Sequence, residues 1–392
     1  MAAIVGLAYR QGDLAAVWGR LLERYAADPT DAAALLDMSF ILQTTGQRSK
    51  GLELQQMALK LRRYYARAHG GGDGLKVLAF VAEGDFMANT PIDFLMEDSN
   101  AVLTLCYIDD QTPDLRDVPE HDVAFVAVGE SEANVPVLAS LERLLEGWRG
   151  PIMNGTPRHI AALTRDRVAE MFGDEASIVS PATVRADRDC LHQLALGQIR
   201  LSALLPNENF PIIVRPYGSH AGEGLVKIDG PAEIRAYLEK QSEQQFYLAP
   251  FVDYAGPDGC FRKQRIAVID GRPFPSHWAV SNHWMVHYLN SGMQESEAWR
   301  SEEASWMRDF DVDFAIRHAP AFNALTRKFG LDYFVIDCAE MPDGRLLLFE
   351  AQVAMIVHAM DATGIFSYKL PAMQKLFSAF QSALERRCSH LS

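Results

Sequence analysis

Apolar positions recur at three- and four-residue spacing along the first part of the chain and give way to short apolar runs and alternation further on. Over 13–26, Leu14, Val17, Trp18, Leu21 and Leu22 share one helical face, and 34–42 and 52–61 repeat the pattern, so residues 2–69 are expected to be helical throughout. Asp28-Pro29-Thr30-Asp31 supplies a stop and then N-cap candidates. Gly70-Gly-Gly-Asp-Gly74 predicts a linker, because consecutive glycines lose too much backbone entropy inside a packed element. Beyond it, strands at 75–82, 101–108 and 122–128 alternate with helices at 91–97 and 136–148, the order of a parallel α/β layer. From about 155, helices at 157–171 and 187–202 flank a strand at 176–179. Strands then dominate at 210–216, 225–228, 246–252, 264–269, 273–281, 333–340 and 345–352, with helical intervals at 296–329 and 369–387.

The helical start carries small residues at telling offsets. Gly46 and Ala58 fall where a 34-residue helix-turn-helix repeat places its turn glycine and packing alanine, and Gly12 and Pro29 sit at matching offsets half a repeat earlier. Residues 1–69 therefore resemble about one and a half tetratricopeptide repeats; an ordinary helical hairpin packed on the main body gives the same signal.

Charge narrows the partners. The 37 Lys and Arg against 51 Asp and Glu give a net charge of −14, and no basic stripe is segregated, so a nucleic-acid partner is not expected. Binding an anion requires a local exception built from a few cations, backbone N–H groups or a divalent metal. With 392 residues, 48% of them hydrophobic, the chain can fill two or three domains of roughly 150 residues. Its five cysteines are scattered without a CxxC pair, which points to a reduced compartment, and no stretch approaches the ~20 apolar residues of a membrane span. A cytoplasmic protein without membrane association is the expectation.

Two constellations carry chemistry. Asp337 lies on one strand, Glu350 and Gln352 on the next, and Pro342-Asp-Gly344 can reverse the chain between them. With Pro342 and Asp343 at the turn centre, Asp337 falls opposite Leu348 and diagonal to Glu350; a glycine bulge at 344 shifts that by one. Placed together, Asp337, Glu350 and Gln352 are hard oxygen ligands of the kind Mg²⁺ takes, and the alternative is a solvated acidic hairpin. The second constellation is Pro211-Ile-Ile-Val-Arg-Pro-Tyr-Gly-Ser-His-Ala-Gly-Glu-Gly224, a strand ending in Arg215 and a glycine-rich loop, which together offer a point charge and exposed N–H groups to a polyphosphate. It lacks the GxxxxGK[ST] of a P-loop, and Glu83-Gly-Asp-Phe86 after the first strand of the α/β layer lacks GxGxxG.

In their order along 75–370 these landmarks resemble the ATP-grasp superfamily, in its D-alanyl-D-alanine ligase, glutathione synthetase and ribosomal-protein glutamate ligase branches. The resemblance implies an α/β (α+β) fold: a helical-repeat appendage over 1–69, a linker at 70–74, a pre-ATP-grasp α/β domain over 75–154, and ATP-grasp lobes over 155–252 and 253–392. It implies ATP and Mg²⁺, with Mn²⁺ as the alternative ion. Arg215 matches the lysine of a "VKP" strand, and Arg167 matches an earlier lysine. Gly218, Ser219, Gly222 and Gly224 match the phosphate lid, and Ala249, Phe251 and Val252 in Leu248-Ala-Pro-Phe-Val252 match the adenine hinge. Arg265 in Lys-Gln-Arg matches the "D-x-R" arginine at the γ-phosphate, and Asp337, Glu350 and Gln352 match the metal set, with Gln352 standing where asparagine is usual. Val335 stands where D-alanyl-D-alanine ligases carry a substrate-orienting arginine, which disfavours that substrate.

The implied reaction is ATP-dependent joining of a small carboxylate, amino acid or peptide to an amine through an acyl phosphate. The alternatives are phosphorylation alone, or a degenerate scaffold whose helical repeat binds a protein. His277 and His283, in 277–288, are the expected acceptor-side bases or carboxylate ligands. His283 and His287 have zinc spacing but no completing Cys or carboxylate. His358 and Asp361 are placed to close the pocket, and residues 1–69 are the candidate surface for a second copy or a protein partner.

Overall fold

In the computed structural model, which describes residues 1–219, 222–287 and 291–389, four helices open the chain: α1 (Ala2–Tyr9), α2 (Leu14–Ala27), α3 (Ala32–Thr44) and α4 (Arg48–Leu61). Asp13 and Asp31 cap α2 and α3, each carboxylate accepting the N–H three residues on. The helical run stops short of the expected residue 69. Arg62 is extended, and Tyr64–Ala68 forms strand β1, where two adjacent tyrosines favour a half-buried strand.

A five-stranded sheet follows, in the order β1-β3-β2-β4-β5, with β2 (Lys76–Val81), β3 (Val102–Tyr107), β4 (Val123–Val126) and β5 (Ile152–Met153) parallel and β1 antiparallel to β3. The glycine segment 70–74 thus joins two strands of one sheet, with β3 between them. The apolar faces of α1–α4, including Leu35, Leu36, Ile41 and Leu59, share one core with Val77, Ala79 and Phe125 of this sheet and with Leu376, Phe377 and Phe380 of the C-terminal helix Leu370–Ser389.

The strand β6 (Ile178–Val179) leads into a second sheet of four antiparallel strands, ordered β7-β10-β8-β9: β7 (Val184–Asp187), β8 (Ile212–Pro216), β9 (Val226–Ile228) and β10 (Gln245–Pro250). The helix expected over 187–202 ends at Ala195, because Gly197 adopts φ +68 and turns the chain. This unit has its own core, drawn only from residues between Ala186 and Leu248, including Leu191, Val214, Ile234 and Phe246.

The third sheet runs β12-β11-β13-β14-β6, with β11 (Phe261–Ile269), β12 (Arg272–Ser281), β13 (Tyr333–Glu340) and β14 (Leu346–Gln352) antiparallel and β6 parallel to β14. The turn before β14 holds Gly344 at φ +84 and pairs Glu340 with Leu346. A bulge at Phe349 then moves the register again, so Asp337 faces Glu350 directly rather than Leu348. On the other flank, Ser276 is the extra residue of a second bulge, which sets His277 opposite Arg265. His277, Arg265, Asp337 and Glu350 therefore form one row across four strands. Among the described residues, no helix is long and apolar enough to cross a membrane.

Helix crossing in the N-terminal layer depends on a missing side chain. A Cβ on Gly51 would lie 2.7 Å from Gln43 Cγ and 2.9 Å from the Ser39 carbonyl oxygen. Gly51→Leu should cost about 1–3 kcal/mol by overpacking, read as a lower urea midpoint. Gly19, on α2 with nothing within 4 Å of its Cβ position, is the contrast: Gly19→Ala should raise the midpoint, by up to about 1 kcal/mol of helix propensity.

Candidate functional site

The second and third sheets face one another across a cavity of about 570 Å³. Its walls come from β8 (Ile213, Arg215), β10 (Tyr247, Ala249, Pro250), β11 (Lys263, Arg265), β12 (Ser276, His277), β13 (Asp337) and β14 (Leu347 to Ala351). Lys263 and Arg265 are two residues apart on one strand and so project to the same face.

Asp337 is the most enclosed charge in the cavity, 2% exposed. Arg265 grips it with a fork, Nε to Oδ1 at 2.8 Å and Nη2 to Oδ2 at 3.0 Å, while Lys263 Nζ lies 2.7 Å from Oδ2. The third guanidinium nitrogen of Arg265 donates to the Ile356 carbonyl at 3.1 Å. Burial works against the Asp337 carboxylate, yet Arg265 and Lys263 outweigh it and hold the group well below the usual range. Burial likewise opposes the Arg265 charge, and Asp337 reverses the effect so that its affinity for the proton rises.

Glu350 pairs with Arg165, Oε2 to Nη2 at 2.6 Å, and Arg165 also donates to the Phe349 carbonyl at 3.2 Å. Burial of Glu350 is again outweighed, here by Arg165 and then Arg215, and its pKa is lowered. Arg215 donates from Nε to Ser219 Oγ at 3.2 Å and from Nη2 to the Ser219 carbonyl. Burial first, and Arg165 second, push its pKa down, the sign of a cation with too little counter-charge.

Several sequence expectations meet here and others do not. Arg215, Gly222, Ala249, Phe251, Val252, Arg265, His277, Asp337 and Glu350 all line the cavity. Arg167 does not; it is exposed, and Arg165 takes its place. Two residues on a helix are about 200° apart, and Arg165 shares the buried face of Val168, Ala169 and Phe172 on the helix Arg165–Phe172. That phase was readable from the sequence. His283 is exposed, its ring accepting the Met285 N–H at 3.2 Å, whereas His287 lines the cavity. Gly218 and Gly224 lie outside the lining. Gly224, at φ +64, has Pro216 Cδ 2.6 Å from where a Cβ would be, so it serves the fold of the loop. His220, Ala221 and Tyr288 lie outside the described residues.

Gln352 is turned away from the two carboxylates. Its Nε2 donates to the Glu130 carbonyl at 2.8 Å and to Glu130 Oε2 at 3.1 Å, and its Oε1 accepts the Glu130 N–H at 3.3 Å. Beside this contact, Thr90 donates to the Val353 carbonyl at 2.9 Å, tying the α/β layer to the end of β14. Burial pushes Glu130 up to about 7; Arg165 and Arg185 pull it down, and Glu350 and Asp166 push it further up. Glu130 escaped the sequence reading, although it follows the carboxyl end of β4, the end where open α/β sheets place ligands.

Asp337, Glu350 and Gln352 do not fit a divalent ion. Both oxygens of Asp337 are bound by cations, Glu350 is held by Arg165, and the Gln352 amide oxygen is engaged by Glu130. Among the described residues, no group of three His, Cys, Asp or Glu side chains is placed to hold a metal.

On β12, burial followed by Arg265 and Lys369 drives the His277 pKa well below its ordinary value, so its ring is neutral at pH 7. His358, also lowered by burial, stands with Nδ1 3.7 Å from Asp361 Oδ1. Asp361 is paired with the buried Lys369 at 2.8 Å, which also reaches Glu303 at 3.2 Å.

No family model and no curated protein matches the chain. Among solved structures it is similar to the D-alanine–D-alanine ligase from Bacillus anthracis complexed with ATP, with a TM-score of 0.47 and 11% identity over 81% of this chain and 99% of that one. It is also similar to the D-alanine–D-alanine ligase from Coxiella burnetii, with a TM-score of 0.45 and 10% identity over 81% and 100%. A third similarity is to a RimK domain ATP-grasp protein from Sphaerobacter thermophilus, with a TM-score of 0.41 and 12% identity over 78% and 98%.

The Glu130 shift has a signed consequence. In the unfolded chain this carboxyl ionises near its ordinary 4.5, whereas the fold keeps it protonated up to about 7. Its contribution to stability therefore falls as pH rises between those values and is level above them. Glu130→Gln keeps an acceptor for the Gln352 amide and removes the fall. The unfolding free energy of the variant should gain on the wild type from about pH 5 to about pH 7; parallel pH profiles in urea titrations would refute the assignment.

Proposed function

We propose that the chain is an ATP-grasp enzyme, an ATP-dependent ligase that joins a carboxylate to an amine through an acyl phosphate. The observation that carries this reading is the convergence of Lys263, Arg265, Arg165 and Arg215 on one cavity that also has an apolar lining from Leu163, Ile213, Phe251 and Val252. Clustered cations suit a polyphosphate, and an apolar slot beside them suits a base.

In this reading, adenine lies along Ala249, Phe251 and Val252, where Pro250 has no N–H to offer. The four cations hold the phosphates and neutralise charge as a substrate carboxylate oxygen attacks the γ-phosphorus. The P–O bond to ADP breaks as the acyl phosphate forms. The amine nitrogen then bonds to the acyl carbon, phosphate leaves, and the ammonium proton passes to a base. His277 is the base in this scheme, because its ring is neutral at pH 7 and it stands beside Arg265 in the row across the sheet. Asp361 and His358 are proposed to receive the amine component, their carboxylate and neutral imidazole facing the same cavity.

Residues 1–69, whose helices α1 to α4 end at Leu61, are proposed to form a tetratricopeptide-like unit that braces the body or binds a partner. The close crossing of α3 and α4 at Gly51, with Ala58 fully buried, supports it.

The test is phosphate release from ATP in a screen of amino acids and peptides, with ADP and phosphate required to appear only when both an acid and an amine are supplied. ADP formation that needs no amine would replace the ligase with a kinase. Arg265→Lys keeps the charge but loses the fork on Asp337, and kcat should fall by at least about 100-fold. An unchanged kcat in a folded variant would remove Arg265 from the reaction.

A further inference from the structure

Resting on that nucleotide reading, we infer that the Lys263 ammonium takes the place on Asp337 that a divalent ion would occupy, so that the cavity receives a nucleoside polyphosphate as the metal-free anion. Lys263 stands in the chain where the D-x-R pattern carries its acid. The substitution does more than remove a carboxylate. It brings a cation to Asp337 Oδ2, at 2.7 Å, on an oxygen that also accepts from Arg265 at 3.0 Å.

The charge balance of the cavity points the same way. Arg165, Arg215, Lys263 and Arg265 face Asp337 and Glu350, and the third carboxylate of the lining, Asp361, is already matched by Lys369 behind it, so two positive charges remain in excess around the first two. None of these side chains is more than 25% exposed among the ion pairs Arg165–Glu350, Lys263–Asp337 and Arg265–Asp337, so solvent screens the surplus weakly. A divalent cation entering this field would be repelled and would have to displace Lys263 from Asp337 and Arg165 from Glu350. Mg²⁺ sheds its own water reluctantly and gains only where carboxylates are free to coordinate it. A polyphosphate finds the opposite: a surplus of ammonium and guanidinium donors that match phosphate oxygens.

The experiment is calorimetric titration of the full chain with the β,γ-imido analogue of ATP, once with Mg²⁺ and once with excess EDTA. Affinity in EDTA should stay within about threefold of that in Mg²⁺, a difference smaller than one charge-assisted hydrogen bond. Lys263→Met, close in length but uncharged, should lose about tenfold or more in EDTA and recover when Mg²⁺ is added, whereas Lys263→Arg should bind without metal. The wild-type pair of titrations decides the matter even if Lys263→Met does not fold. Binding that collapses in EDTA overturns this inference and leaves the nucleotide reading intact; absence of binding in both buffers overturns the nucleotide reading and this inference with it. Metal-independent binding by a folded Lys263→Met variant removes Lys263 from the role assigned to it.

Discussion

The site depends on how a carboxylate is kept charged in the middle of a sheet. Asp337 lies on a central strand with Arg265 directly across from it on β11, and its carboxylate is almost completely shielded from water. Neither ion would be tolerable alone at that depth, because losing one partner leaves an uncompensated buried charge worth about 3–5 kcal/mol. The fork geometry fixes the guanidinium, and its remaining nitrogen pins the segment after β14 at Ile356. Arg165 and Glu350 repeat the device one strand over. The floor of the cavity is thus a lattice of ion pairs, and its rigidity comes from how costly each half is without the other.

Two bulges make that lattice possible. An uninterrupted antiparallel ladder would have set Asp337 against another residue of β14 and His277 off the level of Arg265. The extra residues Phe349 and Ser276, one on each flank, bring all four side chains to the same height. Bulges twist the strand that carries them and re-aim its side chains, and here both act on the central pair from outside.

How much of this could be read from the chain alone follows from which forces are local. Helical periodicity marks α2 to α4, and the hairpin around Pro342-Asp-Gly344 identifies Asp337 and Glu350 as neighbours, because turn chemistry and alternation act within a few residues. The bulges were not legible, since neither Ser276 nor Phe349 carries a local signal and each is fixed by packing on the facing strand. Lys263 went unassigned because its meaning depends on Asp337, 74 positions further along the chain. Strand β1 was hidden for a related reason: its partner β3 is supplied from beyond the glycine segment. Gln352 reads as a ligand by its spacing from Glu350, and only the approach of Glu130 from the α/β layer turns its amide elsewhere.

The four-stranded unit that forms the other wall keeps its apolar residues to itself, in a core that borrows nothing from the rest of the molecule. A lobe built in this way can pivot without uncovering hydrophobic surface. Glu350 on the facing wall attracts Arg215 while Arg165 repels it, and both effects weaken with ionic strength. The gap between the walls is accordingly a quantity that salt can set, while the heat that would melt either core leaves it largely untouched until the molecule unfolds.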